Sequence, residues 1–442
     1  MLKRTIGLLH ATALVVGIII GASIFVQPSA ITASVPKLSA VYAVWILAGV
    51  LTLFGALIAA ELASAFPRAG GVYVFLSESF SPGIAFLWGW AMFWTMHTGI
   101  IAAVAMIFAR YVAFFVPVGD TGLKLIAITA VVVLSAVNYV GVRQGSLVQT
   151  TLTIVKVGAV AAITVLAFVL GARTPLAVVA APAATAVAAA GDSHAFIAAI
   201  VAGLFAFGGW HMVTYAAEET VDPERTLPRA LVLGVLIVTA SYIALNAAYF
   251  HVLPAATIAT STRVAADAAG AVMGSAGAAI VSVIVALSAL GAANGIILAG
   301  PRVYLAMSRD RLLFSWVGAV HDRFRTPHRA IALQAGWAIV LVLTGTYRAL
   351  FTRVVFTEWI FFALMAVGLV LLRRRPGYAP RFRVPWHPIV PVVFVVSSLY
   401  IVFDQVVAHP RDSVGGLALV AIGWPVYYFT VRRTKLEEHD GM

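Results

Sequence analysis

Long apolar runs separated by short polar segments dominate this chain, and a helix needs about 20 apolar residues to cross the hydrocarbon of a bilayer. Read with that window, the spans fall at roughly 8–32, 39–63, 84–116, 123–140, 148–171, 195–217, 230–253, 270–307, 329–346, 352–372, 389–408 and 414–431, twelve in all. The pattern predicts an all-α membrane protein. Two runs stand apart because glycine sits at their centres: Gly17-Ile18-Ile19-Ile20-Gly21-Ala22-Ser23-Ile24-Phe25 and Phe205-Ala206-Phe207-Gly208-Gly209-Trp210. Glycine costs about 1 kcal/mol in a helix interior relative to alanine. Backbone released from a helix inside a membrane is tolerated only where it lines a cavity or is buried in protein. Paired interruptions in the two halves of a chain point to a transporter's binding site. The competing reading of Gly17 and Gly21 is tight helix contact through a GxxxG pattern.

Composition agrees with the spans. Hydrophobic residues make up 62% of the 442 and charged residues only 10%, with a mean hydropathy of +1.01. With the N-terminus placed in the cytoplasm, Lys37, Lys124, Arg173, Arg263, Arg348, Arg353 and Arg411 fall outside, whereas most of the 29 Lys and Arg residues fall inside. The positive-inside rule therefore puts both termini in the cytoplasm. The net charge of +12 follows from this topology and from contact with anionic headgroups, and does not indicate nucleic-acid binding. No cysteine is present, which excludes a disulfide-linked partner chain, thiolate chemistry and a cysteine metal site. The first run continues into a multispan pattern without a small-residue cleavage site, unlike a removable signal peptide.

Polar residues inside the spans carry the candidate chemistry. Lys156 lies about 13 Å beyond the expected start of its helix, too deep for easy snorkelling. An intramembrane lysine needs a partner, and carbonyls freed at the first helix break are the candidates. Glu61 ends the second span and reads as structural or gating. His97 and Asn294 each suit either a pocket wall or an interhelical hydrogen bond. Arg110 can snorkel outward, and Trp88, Trp90 and Trp94 serve as anchors or packing. The turn residues of 66–73, the Ala/Pro/Thr-rich external loop 174–193 and the charged segment 217–230 separate spans. The last two spans offer no polar constellation beyond Asp404 and are expected to be peripheral.

Together these stretches identify a resemblance. The chain is similar to the amino acid-polyamine-organocation superfamily, and within it to the L-type amino-acid transporter branch. The likeness rests on IIGASIF near the start, ELASAFPRAGGVY at 61–73, LFAFGGWHMVTYAAEETVDPERTLPRA at 204–230, LGAANGIILAGPRVYLAMSRDRLL at 290–313 and Lys156. It implies a LeuT-like fold: an inverted five-helix repeat over 8–171 and 195–372, followed by a hairpin at 389–431. It also implies that amides at Gly21, Ala22 and Ser23 bind the substrate carboxylate, while carbonyls of Ile19, Phe205, Ala206 and Gly208 accept from its ammonium. In that scheme Phe205 is a gate, and Lys156 stands in for a bound Na⁺, with Ser288 as a further contact. Three positions depart from the family: Ser23 in place of glycine, His211 in place of asparagine, and His97 where arginine is frequent. These bear on specificity rather than on the backbone mechanism.

The expectation is a Na⁺-independent exchanger in a bacterial inner membrane, working alone and without a cofactor or metal; its substrates are expected to be neutral L-amino acids, since no Asp or Glu is expected in the pocket to pair with a cationic side chain. A proton-coupled symporter using Glu61, His97, His211 or Glu358 is the alternative. An intramembrane enzyme finds no HExxH, GxSxG or P-loop pattern to support it. A signalling receptor finds no tail long enough.

Overall fold

The computed structural model describes residues 2–21, 23–25, 27–171, 193–261 and 263–430. Ala22 and nearly all of the 174–193 segment lie outside them. The first apolar window divides at its glycine stretch into α1 (Leu8–Ile19), a single 3-10 turn (Ser23–Phe25) and α2 (Gln27–Ser34). Next come α3 (Leu38–Ala65) and α4 (Val72–Ser79), entered through Gly70 and Gly71, both at positive φ. In α5 (Pro82–Ala91) the Ser81 hydroxyl accepts from the Ile84 amide and proline occupies the first turn, which lacks internal donors' partners in any helix. One π turn (Met92–Met96) leads into α6 (His97–Val112). The first half closes with α7 (Asp120–Val140) and α8 (Val142–Leu170).

The second half opens with α9 (Ser193–Ala206), which stops before Gly208-Gly209 and resumes as a 3-10 helix (Trp210–Glu219). Then follow α10 (Pro223–Val252), α11 (Ala255–Thr260), α12 (Val264–Met273), α13 (Ser275–Ala299) and α14 (Pro301–Arg309). The eighth window, expected to begin at 270, instead begins at 275, because Gly274 (φ 64°) turns the chain after α12. The bundle is completed by α15 (His328–Thr344), α16 (Tyr347–Leu372), α17 (Ile389–Ala408) and α18 (Pro410–Ala421).

Among the described residues, nine helical stretches are long and apolar enough to cross a membrane, by length and composition. Others are shorter apolar helices, including α1 at 12 residues and α15 at 17. Burial sorts them. The most apolar window of the stretch spanning α13 and α14 is 72% buried inside the protein, against 28% for α17 and 22% for the stretch containing α18. A helix apolar on every face and buried belongs at a core, and one apolar but exposed belongs against lipid. The core is built around α1, which packs on α8, α10, α13 and the 3-10 helix at 210–219.

Candidate functional site

The first break is a matter of hydrogen bonds. In a continuous helix the Gly21 amide would donate to the Gly17 carbonyl; here it turns back to the Ile19 carbonyl at 2.7 Å, and Ile20 leaves helical geometry at ψ 74°. The freed carbonyls of Gly17 and Ile20 each accept from Lys156 Nζ at 2.8 Å, and the Ser288 carbonyl of α13 accepts at 3.0 Å. Three acceptors match the three N–H donors of an ammonium. The Ser288 hydroxyl also donates to the Ile20 carbonyl at 3.0 Å. Lys156 is thus a buried tie between α8, α1 and α13.

Glycine lets this tie form. A Cβ at Gly291 would stand 2.9 Å from Lys156 Nζ, and one at Gly17 would collide with Gln149 and Thr153. Gly17 therefore serves close approach of α1 to α8 as well as lying just before the break.

At the second break, Gly209 adopts φ 90°, a left-handed conformation natural to glycine, and a Cβ there would strike Ile18. The Phe207 and Gly208 amides close tight turns onto the carbonyls of Leu204 and Phe205, at 3.1 and 3.2 Å. Both breaks meet at Tyr242 of α10, a residue the sequence reading passed over. Its hydroxyl lies 3.0 Å from the Ile19 carbonyl and 2.9 Å from the Ala206 carbonyl, and its ring packs between Trp45 and Phe207. The sequence signal was a phenol at the middle of a span, where its O–H must find an acceptor.

Between the breaks lies a cavity of about 210 Å³. Gly21 and Ser23 line it from one break, and Phe205, Ala206 and Gly208 from the other, with Ile19 beside Tyr242. The wall is mostly apolar, contributed by residues such as Val104, Ala292, Trp359 and Phe362. Phe205 is 38% exposed.

Two features of the wall depart from expectation. Glu358 is part of it, although no acid was expected there. Hydropathy located Glu358 at the mouth of its span, but α16 begins at Tyr347, which carries Glu358 about 16 Å along the helix. Ile401 and Gln405 of α17 also contribute, so a helix with most of its surface exposed still reaches the cavity.

The other polar candidates lie elsewhere. Asn294 accepts from the Asn138 amide at 2.8 Å and donates to Gln149 Oε1 and the Gly145 carbonyl, tying α13 to α7 and α8. His97 Nδ1 is 3.0 Å from the Tyr304 hydroxyl. His211 is enclosed by the rings of Trp88, Trp210, Tyr215 and Phe362, and neither of its nitrogens has a hydrogen-bond partner. None of the three is among the residues lining the cavity.

The end of the bundle that carries the N-terminus is sealed. Amides of Thr5 and Ile6 donate to the Glu219 carbonyl at 2.8 and 2.9 Å, and the Val221 amide donates to the Ile6 carbonyl. Arg302 forms two hydrogen bonds to the Glu219 carboxylate at 2.8 and 2.9 Å, with both side chains buried. Around this pair, Arg309 binds Glu218 at 2.7 Å, the Tyr73 hydroxyl donates to Asp310 at 2.7 Å, and Arg68 pairs with Glu78. Glu61 is paired with Arg373 and accepts from the Val384 amide at 2.6 Å, a structural pairing of α3 with the end of α16.

A membrane-embedded bundle whose central helices are interrupted around a cavity defines the class of secondary transport proteins. Within that class the chain belongs to the amino acid permease family, whose model matches residues 6–430. It is 34% identical to the serine/threonine exchanger SteT of Bacillus subtilis, over 98% of each chain. It is 30% identical to the human b(0,+)-type amino acid transporter 1, covering 97% of this chain and 88% of that one. With the mouse Asc-type amino acid transporter 1 it shares 29% identity over 97% of this chain and 82% of the relative.

Proposed function

We propose that this protein is a Na⁺-independent amino-acid exchanger working by alternating access, with the cavity between the two helix breaks as its substrate site. The observation that carries the reading is the capture of the carbonyls freed at the first break by Lys156. A fixed ammonium there holds α1 against α8 and α13 without a metal ion, which removes the need for a bound Na⁺. The Ser23 amide at the start of the 3-10 turn is a donor for the substrate carboxylate, and the helix that follows adds its positive end. Carbonyls of Ile19, Phe205, Ala206 and Gly208 are the acceptors for the ammonium. Ile19 and Ala206 share the Tyr242 hydroxyl, and a carbonyl's second lone pair leaves room for substrate.

The fold behind this reading is twelve spans in two inverted five-helix repeats, 8–171 and 195–372, with 389–431 as an added hairpin. The sealed end faces the cytoplasm with both termini, in a bacterial inner membrane, and Phe205 is the gate on the other side. The chain works without a partner subunit. Neutral L-amino acids of small or medium size suit the apolar wall, and the relatives that exchange serine and threonine or carry amino acids favour the same class. The test is uptake of labelled alanine, leucine and arginine into proteoliposomes without Na⁺, with and without unlabelled amino acid inside. Uptake that requires internal amino acid supports exchange; uptake into empty vesicles, or only with Na⁺, refutes it.

A further inference from the structure

Among the described residues, Glu358 is the only ionisable side chain on the wall of the cavity, and nothing in the exchange mechanism uses it. Its side chain is more than nine-tenths buried, and its Oε1 has no hydrogen-bond partner. No cation pairs with it among the described residues. Arg373, on the same helix, is taken by Glu61.

The ionisable groups on the elements packed against α16 give it no counter-charge. Tyr215 of the 210–219 helix is near enough to interact with it electrostatically and carries no positive charge. His211, on the same helix, is shut in by aromatic rings, and His97 of α6 faces Tyr304. Tyr73 and Glu78 of α4 are engaged with Asp310 and Arg68. Tyr42 belongs to α3, Arg110 and Tyr111 to the last turn of α6, Asp404 to α17 beside the lining Gln405, Arg411 and Asp412 to α18, and His328 and Arg329 to the start of α15, where Arg329 donates to the Trp316 carbonyl; none of them is among the residues lining the cavity.

A carboxylate in an apolar wall is costly unless it is paired or neutralised. Substrate binding expels what water the cavity holds, so the occupied site must supply a positive charge at this point. We infer that Glu358 admits one positive charge with each substrate: either the ammonium or guanidinium of a cationic side chain, or a proton accompanying a neutral amino acid. This rests on the cavity being the substrate site, and it widens the substrate class to dibasic amino acids. The proton joins a Glu358 carboxylate oxygen as the neutral substrate enters and leaves with it. Exchange of internal alanine for external arginine is then electroneutral and exports one proton.

The experiment uses the intact protein in proteoliposomes loaded with alanine and a pH-sensitive dye. Addition of external arginine is expected to raise the internal pH in step with labelled alanine efflux, whereas external alanine leaves it unchanged. Raising the external pH is expected to increase KM for alanine and to leave or lower KM for arginine. In Glu358→Gln, the KM for alanine should no longer change with external pH, and arginine affinity should fall at least about 30-fold, the loss that removal of one partner from a buried charge pair brings. Arginine–alanine exchange with no pH change inside, or Glu358→Gln retaining wild-type arginine affinity and pH response, would overturn the inference while leaving alanine exchange, and so the proposed function, standing. No exchange of any amino acid by the wild type would instead remove the substrate site itself. The dye measurement needs only the wild type, so the inference stays testable if the variant does not fold.

Discussion

Lys156→Met replaces the ammonium with an apolar chain of similar reach and removes three donors at once. The three acceptors are not equally affected. The Ile20 carbonyl keeps the Ser288 hydroxyl, and the Ser288 carbonyl lies inside α13, where its own helix supplies a donor. The Gly17 carbonyl has no such substitute, because the Gly21 amide has turned to Ile19. One buried acceptor left bare costs about 1–3 kcal/mol. That energy bears on the position of α1 relative to α8, which the proposed alternating access would change, and corresponds to about 5–150-fold in a conformational equilibrium. We expect the exchange rate of Lys156→Met to fall by this factor while the protein still extracts and purifies as a monodisperse species. The assay is counterflow of labelled substrate into loaded proteoliposomes, beside thermal denaturation in detergent. Adding Ser288→Ala should cost more in the Met background than alone, since only then does the Ile20 carbonyl lose its last side-chain donor. Strict additivity of the two changes, or unchanged exchange in Lys156→Met, would refute the reasoning.

Tyr242→Phe keeps the ring between Trp45 and Phe207 but removes the hydroxyl that joins both breaks; a net loss of about 1 kcal/mol in stability is expected, with a raised KM, read by denaturation and exchange kinetics. Arg302→Met leaves Glu219 buried without its partner and should destabilise by about 3–5 kcal/mol, while Arg302→Met with Glu219→Leu should recover most of it, measured as a double-mutant cycle. Gly209→Ala combines a positive φ with a clash against Ile18, and is expected to lose transport with a lowered denaturation temperature. Asn294→Ala unties α13 from α7 and α8, so its effect should appear in stability rather than in discrimination between neutral and cationic substrates, as competition assays would show.

Much of the frame was legible in the chain because a bilayer imposes one dominant constraint. Apolar length marks a helix, and glycine at the centre of such a run marks where backbone can leave it. Lys156 was equally legible, since an ammonium at that depth must find oxygen, and freed carbonyls were the nearest supply. Sequence could not rank the polar residues that share the spans. By depth, His97 and Asn294 suited a pocket wall and an interhelical bond equally, and His211 entered only through the family resemblance; depth says nothing of azimuth, and the packing of α6, the 210–219 helix and α13 turned all three toward other helices. Glu358 was misjudged for the opposite reason: hydropathy fixed the edge of its window, whereas helix start and rotation fix where the carboxylate points. Tyr242 went unnoticed because a single phenol in an apolar run resembles packing until two broken helices converge on its hydroxyl.

The chain by itself therefore determined that this is a helical membrane protein with two helix breaks and a buried lysine, because hydrophobic length, glycine and an intramembrane charge act through local energetics that any neighbour sequence would share. Only the tertiary structure decided which polar groups meet. Three carbonyls around Lys156, two around Tyr242, a buried ion pair between Glu219 and Arg302, and a carboxylate facing a cavity with one oxygen unpartnered among the described residues all depend on helix rotation and contact. Those are set by side-chain packing between segments 36 to 223 residues apart in the chain, which no local pattern encodes.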